Sequence, residues 1–112
     1  MAVVALDFDG VMHKYSKGWQ KGQIYDPPVE SLKEALVFLA ARYRVVVYTA
    51  RTASDLKLIW NWLYEHGLHR YVSEVTFIKP KAKLYVDDRA YRFTGSWTEE
   101  KLEEIERLME EA

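Results

Sequence analysis

Two carboxylates one residue apart end the first apolar run of the chain, in the stretch Leu6, Asp7, Phe8, Asp9, Gly10. The residues before them, 2–6, are rich in β-branched side chains and read as a buried strand. Alternation along an extended strand sends Asp7 and Asp9 to the same side. Two like charges that close repel, and burial strengthens the repulsion. A hard divalent cation such as Mg²⁺ relieves it and prefers oxygen ligands of this kind. Gly10 lets the backbone turn sharply beside the site. The competing reading is a hairpin with Asp9 and Gly10 as its turn.

A second strand-like run, Leu84, Tyr85, Val86, also ends in paired acids, Asp87 and Asp88, followed by Arg89. One acidic strand end reads as a turn, whereas two in one small domain point to a shared metal site. In an open α/β sheet, ligands collect at the carboxyl ends of the strands, where these acids belong. A third run, residues 44–48, ends in Thr49, Ala50, Arg51 and Thr52. Hydroxyl and backbone N–H groups at a strand end leading into a helix suit an anion. Arg51 adds a fixed positive charge suited to phosphate. The competing reading is plain N-capping by Thr52 or Ser54. Lys79 is placed to offset the negative charge of the site. Lys81 and Lys83 are its rivals, solvated lysines being the default for both. Arg89 and Arg92 either rim the site or pair with nearby acids.

The elements that must position these groups follow from periodicity and punctuation. Residues 11–25 have no helical period and are broken by Gly18 and Gly22, as expected for a flap over the acidic pair. Its Tyr15, Trp19 and Tyr25 form either a wall against a substrate or a cover on the core edge. His13 is either a proton carrier or phosphate contact, or a structural histidine. Asp26 as cap, with Pro27 and Pro28 in the first turn, predicts a helix running to about residue 41. Its buried stripe is Val29, Leu32, Leu36, Leu39 and Ala40. The next helix spans about 53–66 and stops at Gly67. Leu56, Ile59, Trp60 and Leu63 form its core stripe, and Leu58 and Trp62 fall off it, either as a partner surface or as incidental exposure. Residues 75–78 are a brief apolar run, an edge strand or an extended segment. Thr98 caps the last helix, with Glu99 and Glu100 suited to its dipole and Leu102, Ile105, Leu108 and Met109 as its buried stripe.

Composition sets the outer limits. A chain of 112 residues fits one domain, 1–112, and at 49% apolar it can build a core. A net charge of −1 removes the electrostatic footprint of a general nucleic-acid binder. Without cysteine there are no disulfides and no thiolate chemistry. The first apolar run leads straight into acids and lacks a basic flank, so it does not read as a signal peptide. No apolar stretch reaches membrane-spanning length. The expectation is a cytoplasmic protein with no membrane partner.

Asp7, Phe8, Asp9, Gly10, then Thr49 after a strand, then Lys79 and Pro80, then Asp87 and Asp88 after another strand, resemble in that order the four motifs of the haloacid dehalogenase superfamily. The flap, Asp26, Pro27, Pro28 and the run Asp87, Asp88, Arg89, Ala90 look most like small hydrolases of that type from phages and bacteria. The resemblance implies an α/β three-layer sandwich with a mainly parallel, Rossmann-like sheet. The spacings on either side of Thr49 leave no room for a cap domain, so the fold is expected to be reduced and capless. It further implies Mg²⁺-dependent phosphomonoester hydrolysis. Asp7 matches the nucleophile, which forms an aspartyl-phosphate. Asp9 matches the general acid/base, with its carbonyl on Mg²⁺. The dehalogenases of the superfamily lack that second aspartate, so Asp9 favours phosphoryl chemistry. Thr49, with Ala50 and Arg51, matches the phosphate-binding segment, and Lys79 the lysine that steadies nucleophile and phosphate. Asp87 matches a direct Mg²⁺ ligand, and Asp88 one that is direct or through water. The implied substrate is a phosphorylated small molecule or macromolecule end, such as a nucleotide or nucleic-acid end, without strong nucleic-acid binding. A homo-oligomer is compatible. The alternatives are a phosphotransferase using the same site, and a non-catalytic module holding a metal or a phosphorylated ligand.

Overall fold

The computed structural model describes residues 1–111. Four short strands form one parallel sheet: β1 (Val3–Asp7), β2 (Arg44–Tyr48), β3 (Glu74–Thr76) and β4 (Leu84–Val86), in the order β3-β2-β1-β4. Three α-helices accompany it: α1 (Leu32–Ala40), α2 (Leu56–Glu65) and α3 (Glu99–Glu110). Among the described residues no helix is long and apolar enough to cross a membrane.

The register explains where the core sits. Val4 pairs with Val45 and Leu6 with Val47, so these four side chains share one face. The chain passes from β1 to β2 to β3 in one direction, and right-handed crossovers then put α1 and α2 on that same face. Leu32 and Leu36 of α1 and Ile59, Trp62 and Leu63 of α2 join Val4, Leu6, Val45 and Val47 in one buried cluster with Phe8 and Met12. Each such side chain contributes about 1.5–3 kcal/mol by leaving water. The second face, with Ala5 and Val46 buried, is covered by the connection from β3 to β4 rather than by a helix. Tyr85 of β4 donates from its hydroxyl to the Pro80 carbonyl in that connection.

That connection crosses from one edge of the sheet to the other. Three interstrand steps span about 14 Å. Seven extended residues, 77–83, reach about 23 Å. Because β3 and β4 have only three residues each, this short link suffices where a crossover usually needs a dozen residues or more. The brief apolar run at 75–78 is therefore an edge strand shifted to Glu74–Thr76.

Four expectations are corrected. The three-layer arrangement is incomplete, because both packed helices lie on one face and α3 has no buried residue. The stripe Leu102, Leu108 and Met109 is 44–79% exposed, with Ile105 only half-buried. The helix expected from Asp26 starts at Leu32. Val29 N–H donates to the Met12 carbonyl (2.8 Å) and Lys14 N–H to that of Pro27 (3.2 Å), so residues 27–29 extend alongside 12–14 instead of coiling. Trp62 is not a surface residue. It is 4% exposed, meets the Phe8 ring edge-on at 5.2 Å, and donates Nε1–H to the Asp26 carbonyl at 3.1 Å. By contrast, β2 matches its expected bounds, and Gly67 ends the second helix with φ +69°.

Candidate active site

β1 is the strand at which the sheet changes direction: the chain leaves it toward β2 on one side and returns to β4 on the other. A crevice opens at the carboxyl ends of strands at such a point. A cleft of about 690 Å³ lies there, and Asp7, Asp9, Tyr15, Trp19, Thr49, Ala50, Arg51, Lys79 and Asp87 line it. Arg89 lines it too. Lys79 stands over the Tyr85 ring, its Nζ 4.6 Å from the centroid. Of the three candidate lysines Lys79 lines the cleft, and Lys81, Lys83 and Arg92 do not.

Asp7 is the last residue of β1, and Asp87 and Asp88 follow β4 directly. One oxygen of each carboxylate comes within 4.8 Å of the others. Each is anchored differently. Asp7 Oδ1 accepts from Phe8 N–H at 3.0 Å. Asp87 accepts from the Tyr48 hydroxyl at 2.8 Å and from Arg89 N–H at 2.8 Å. Asp88 rests against the bare Cα of Gly10, which has φ +89°, and a Cβ there would collide with its carboxylate. Gly10 is thus required twice, for its backbone angle and for the approach of Asp88. Burial, then the charges of Asp87 and Asp88, push the Asp7 pKa up to about 7. Burial and the bond to Asp87 likewise raise Tyr48.

Asp9 lies in a different environment. Its expected place beside Asp7 is corrected, because the strand ends at Asp7. The Phe8 carbonyl accepts from Met12 N–H (2.9 Å) and His13 N–H (3.0 Å), and Gly10 N–H donates to the His13 carbonyl (2.8 Å). This tight wrap replaces the extended strand, and the Asp9 carboxylate, though it lines the same cleft, is not one of the three that cluster. Arg51 grips it bidentately, Nε to Oδ2 at 2.8 Å and Nη2 to Oδ1 at 3.0 Å, while His13 Nδ1 meets Oδ1 at 2.8 Å. Burial alone would raise its pKa, but the His13 and Arg51 bonds outweigh burial and hold it below the usual carboxylate range.

His13 is fully buried. Its Nε2 accepts from Asp26 N–H at 3.0 Å, which puts the ring proton on Nδ1, facing Asp9. It therefore fixes Asp9 and the entry to residue 26, and it does not line the cleft. Arg51 is equally committed. It is 5% exposed, and its Nη1 donates to the Gly22 carbonyl at 2.7 Å, so it ties the flap to Asp9 instead of offering a free charge to phosphate. Thr49 Oγ1 accepts from Arg51 N–H at 3.0 Å, which leaves its own proton to donate into the cleft. Thr52 does not open an anion site. Its N–H donates to Asp55 (3.3 Å), closing the first turn toward α2. Tyr25 does not line the cleft; its hydroxyl donates to the Gly18 carbonyl (2.7 Å) and accepts from Lys17 N–H (2.8 Å), bracing the flap.

Tyr48, Phe77 and Tyr85 also line the cleft, although their residue types did not mark them. Tyr48 was recoverable in principle. It ends β2 in register with Asp7, so its side chain leaves the sheet on the same face.

The donor set can be tested against a divalent cation. Three clustered carboxylates, with one of them pushed up to about 7 by burial and by the others, make no ion pair with a side chain among the described residues. All-oxygen donors of this kind fit Mg²⁺. Against known protein families, curated proteins and solved structures, the chain matches none.

Proposed function

We propose that the chain is a Mg²⁺-dependent phosphomonoester hydrolase of haloacid dehalogenase type, acting through an aspartyl-phosphate on Asp7. The observation that carries this reading is the convergence of Asp7, Asp87 and Asp88 at the switch point of a parallel sheet, with Asp7 raised to about 7. Asp7, Asp87 and Asp88 would hold the cation, the last two from the loop after β4. Bound Mg²⁺ supplies charge that keeps Asp7 ionised and lets an anionic phosphate approach it. Lys79, in the same cleft, adds to that field, and the Thr49 hydroxyl donates to a phosphate oxygen.

The chemistry then falls to the protein's own groups. A carboxylate oxygen of Asp7 attacks phosphorus, and the bond to the ester oxygen breaks. The leaving oxygen takes a proton from Asp9. Water, giving a proton to Asp9, then attacks the phosphoryl group and frees Asp7. The ionised Asp9 suits the second step, and the first requires it to leave Arg51 and take up a proton from solvent beforehand. A second reading draws on that same ion pair. A carboxylate locked by Arg51 and His13 suits a module that holds Mg²⁺ and a phosphorylated ligand without turnover.

Phosphate release separates the two readings. The panel is p-nitrophenyl phosphate, nucleotides, sugar phosphates and phosphorylated oligonucleotide ends, each with Mg²⁺ and with EDTA, beside Asp7→Asn. Release that requires both Mg²⁺ and Asp7 is the expected result. Saturable ligand binding without release would favour the binding module. Partition of product onto added alcohols would mark a phosphotransferase.

A further inference from the structure

Most of the aromatic rings that line the cleft are already committed to the protein itself. The Tyr48 hydroxyl donates to Asp87. Tyr85 donates to the Pro80 carbonyl and carries the Lys79 ammonium over its ring. Tyr15 meets His13 edge-on and stacks on Tyr25. Trp19 differs from all three. It is 60% exposed, yet its ring is held in place. The Arg51 guanidinium stands over it, 5.3 Å from the ring centroid. Gly22 lies against its edge, where a Cβ would come 3.7 Å from Cη2, and Arg51 also holds the Gly22 carbonyl. The ring therefore rests on a buried guanidinium and a glycine of the flap, not on the core cluster. This packing leaves Trp19 as a wall of the cleft rather than a cover on the core edge.

The electrostatics of the ring select what can use its open face. An indole face is negative and attracts a cation. Arg51 already supplies one, from a site only 5% exposed. A second cation on the opposite face would be repelled by the first. A neutral planar ring meets no such repulsion and gains stacking contact over its whole face.

Position tells which part of a substrate this ring belongs to. Arg51, beneath Trp19, also grips Asp9 through two hydrogen bonds. In the proposed reaction Asp9 protonates the leaving oxygen, so Trp19 stands on the side of the group that departs. Phe77, the other exposed ring of the cleft, follows the edge strand β3, two strands away from β1. We propose that the leaving group carries a neutral planar ring that stacks on the open face of Trp19, as the base of a nucleoside monophosphate would. A cleft of about 690 Å³ is of the size that takes such a small molecule. This inference rests on the proposed phosphatase reading, and adds to it a substrate class and the residue that selects it.

Ester pairs that differ only in the ring test it: adenosine 5′-monophosphate against ribose 5-phosphate, and benzyl phosphate against methyl phosphate. The native chain with Mg²⁺ is measured on each, by kcat/KM where phosphate is released and by calorimetric Kd where it is not. The ring-bearing ester should be favoured by about tenfold in at least one pair. A preference in the first pair alone marks a nucleotide, and one in the second marks a simpler ring-bearing alcohol. Trp19→Ala should bring the ratio close to 1, whereas Trp19→Phe, which keeps a planar face, and Phe77→Ala should retain it. Equal constants within both pairs, a preference that survives Trp19→Ala, or one lost in Phe77→Ala would overturn the stacking site. Release of phosphate in those cases would leave the phosphatase reading standing. A Trp19-dependent preference in binding with no release from any ester would instead keep the ring site and overturn the phosphatase reading. An absence of both binding and release would overturn both.

Discussion

Asp7 and Asp9 are separated by one residue and sit at the same cleft, yet their titration is driven in opposite directions. Asp7 shares its space with two further carboxylates and is pushed up to about 7. Asp9 shares its space with Arg51 and His13 and is held below the usual range. Burial opposes ionisation at both positions, so the neighbours decide the outcome. Asp7 has only other carboxylates as close charged neighbours, while Asp9 is neutralised from within and braces the flap. The contrast separates a cluster of like charges from a carboxylate paired with donors of the protein itself.

Breaking the first centre should have the largest effect. Asp7→Asn should abolish turnover, a loss of at least about 10³-fold, while the circular dichroism spectrum stays that of the native chain. Turnover near the native rate in that variant would remove Asp7 as nucleophile. Breaking the second centre acts on stability instead. Arg51→Met leaves the Asp9 carboxylate, whose side chain is 18% exposed, without its partner. The expected cost is about 3 kcal/mol in urea unfolding, with faster proteolysis in residues 11–25, since Arg51 also holds the Gly22 carbonyl. Unchanged stability would show that the pair contributes nothing to folding.

Asp87→Asn is a milder lesion in the first centre. It should raise the Mg²⁺ concentration needed for half-maximal effect by about 10–100-fold, and an unchanged metal titration would refute the ligand role. The smallest expected effect is on pH dependence. Asp7 ionises near 3.8 in the unfolded chain and near 7 in the folded one. Between those limits the folded state holds more protons, so the metal-free protein loses stability as pH rises through them. Asp9, shifted the other way, adds stability that disappears only as pH falls below its unfolded value of 3.8. The melting temperature without metal should therefore be lower at pH 8 than at pH 5, and Mg²⁺ should narrow the gap. A melting temperature that rises over that range without metal would contradict the Asp7 assignment.

What could be read from the chain alone was local. A β-branched run ending in polar residues specifies a strand and places those residues at its carboxyl end, and Asp7, Asp87, Thr49 and Lys79 line one cleft. The bounds of β2 and the stop at Gly67 follow from propensity and backbone freedom in the same way. What could not be read depended on distant partners. Asp9 leaves the strand because several N–H groups converge on the Phe8 carbonyl, and Arg51, 42 residues later, waits to receive it. Asp26 looks like a helix cap, but its backbone N–H is used by His13 and its carbonyl by Trp62. The stripe of α3 has the period of a buried face, yet period states only that a face is apolar, not which molecule covers it.

The most direct test follows the carboxyl carbons of Asp7 and Asp9 by NMR across pH, with and without Mg²⁺. Asp7 should titrate near 7 without metal and fall toward or below 3.8 when Mg²⁺ is bound. Asp9 should titrate below 3.8 in both conditions. If Asp7 titrates near 3.8 without metal, or if Mg²⁺ leaves it unmoved, then Asp7, Asp87 and Asp88 do not form the charged metal centre on which the proposed chemistry rests.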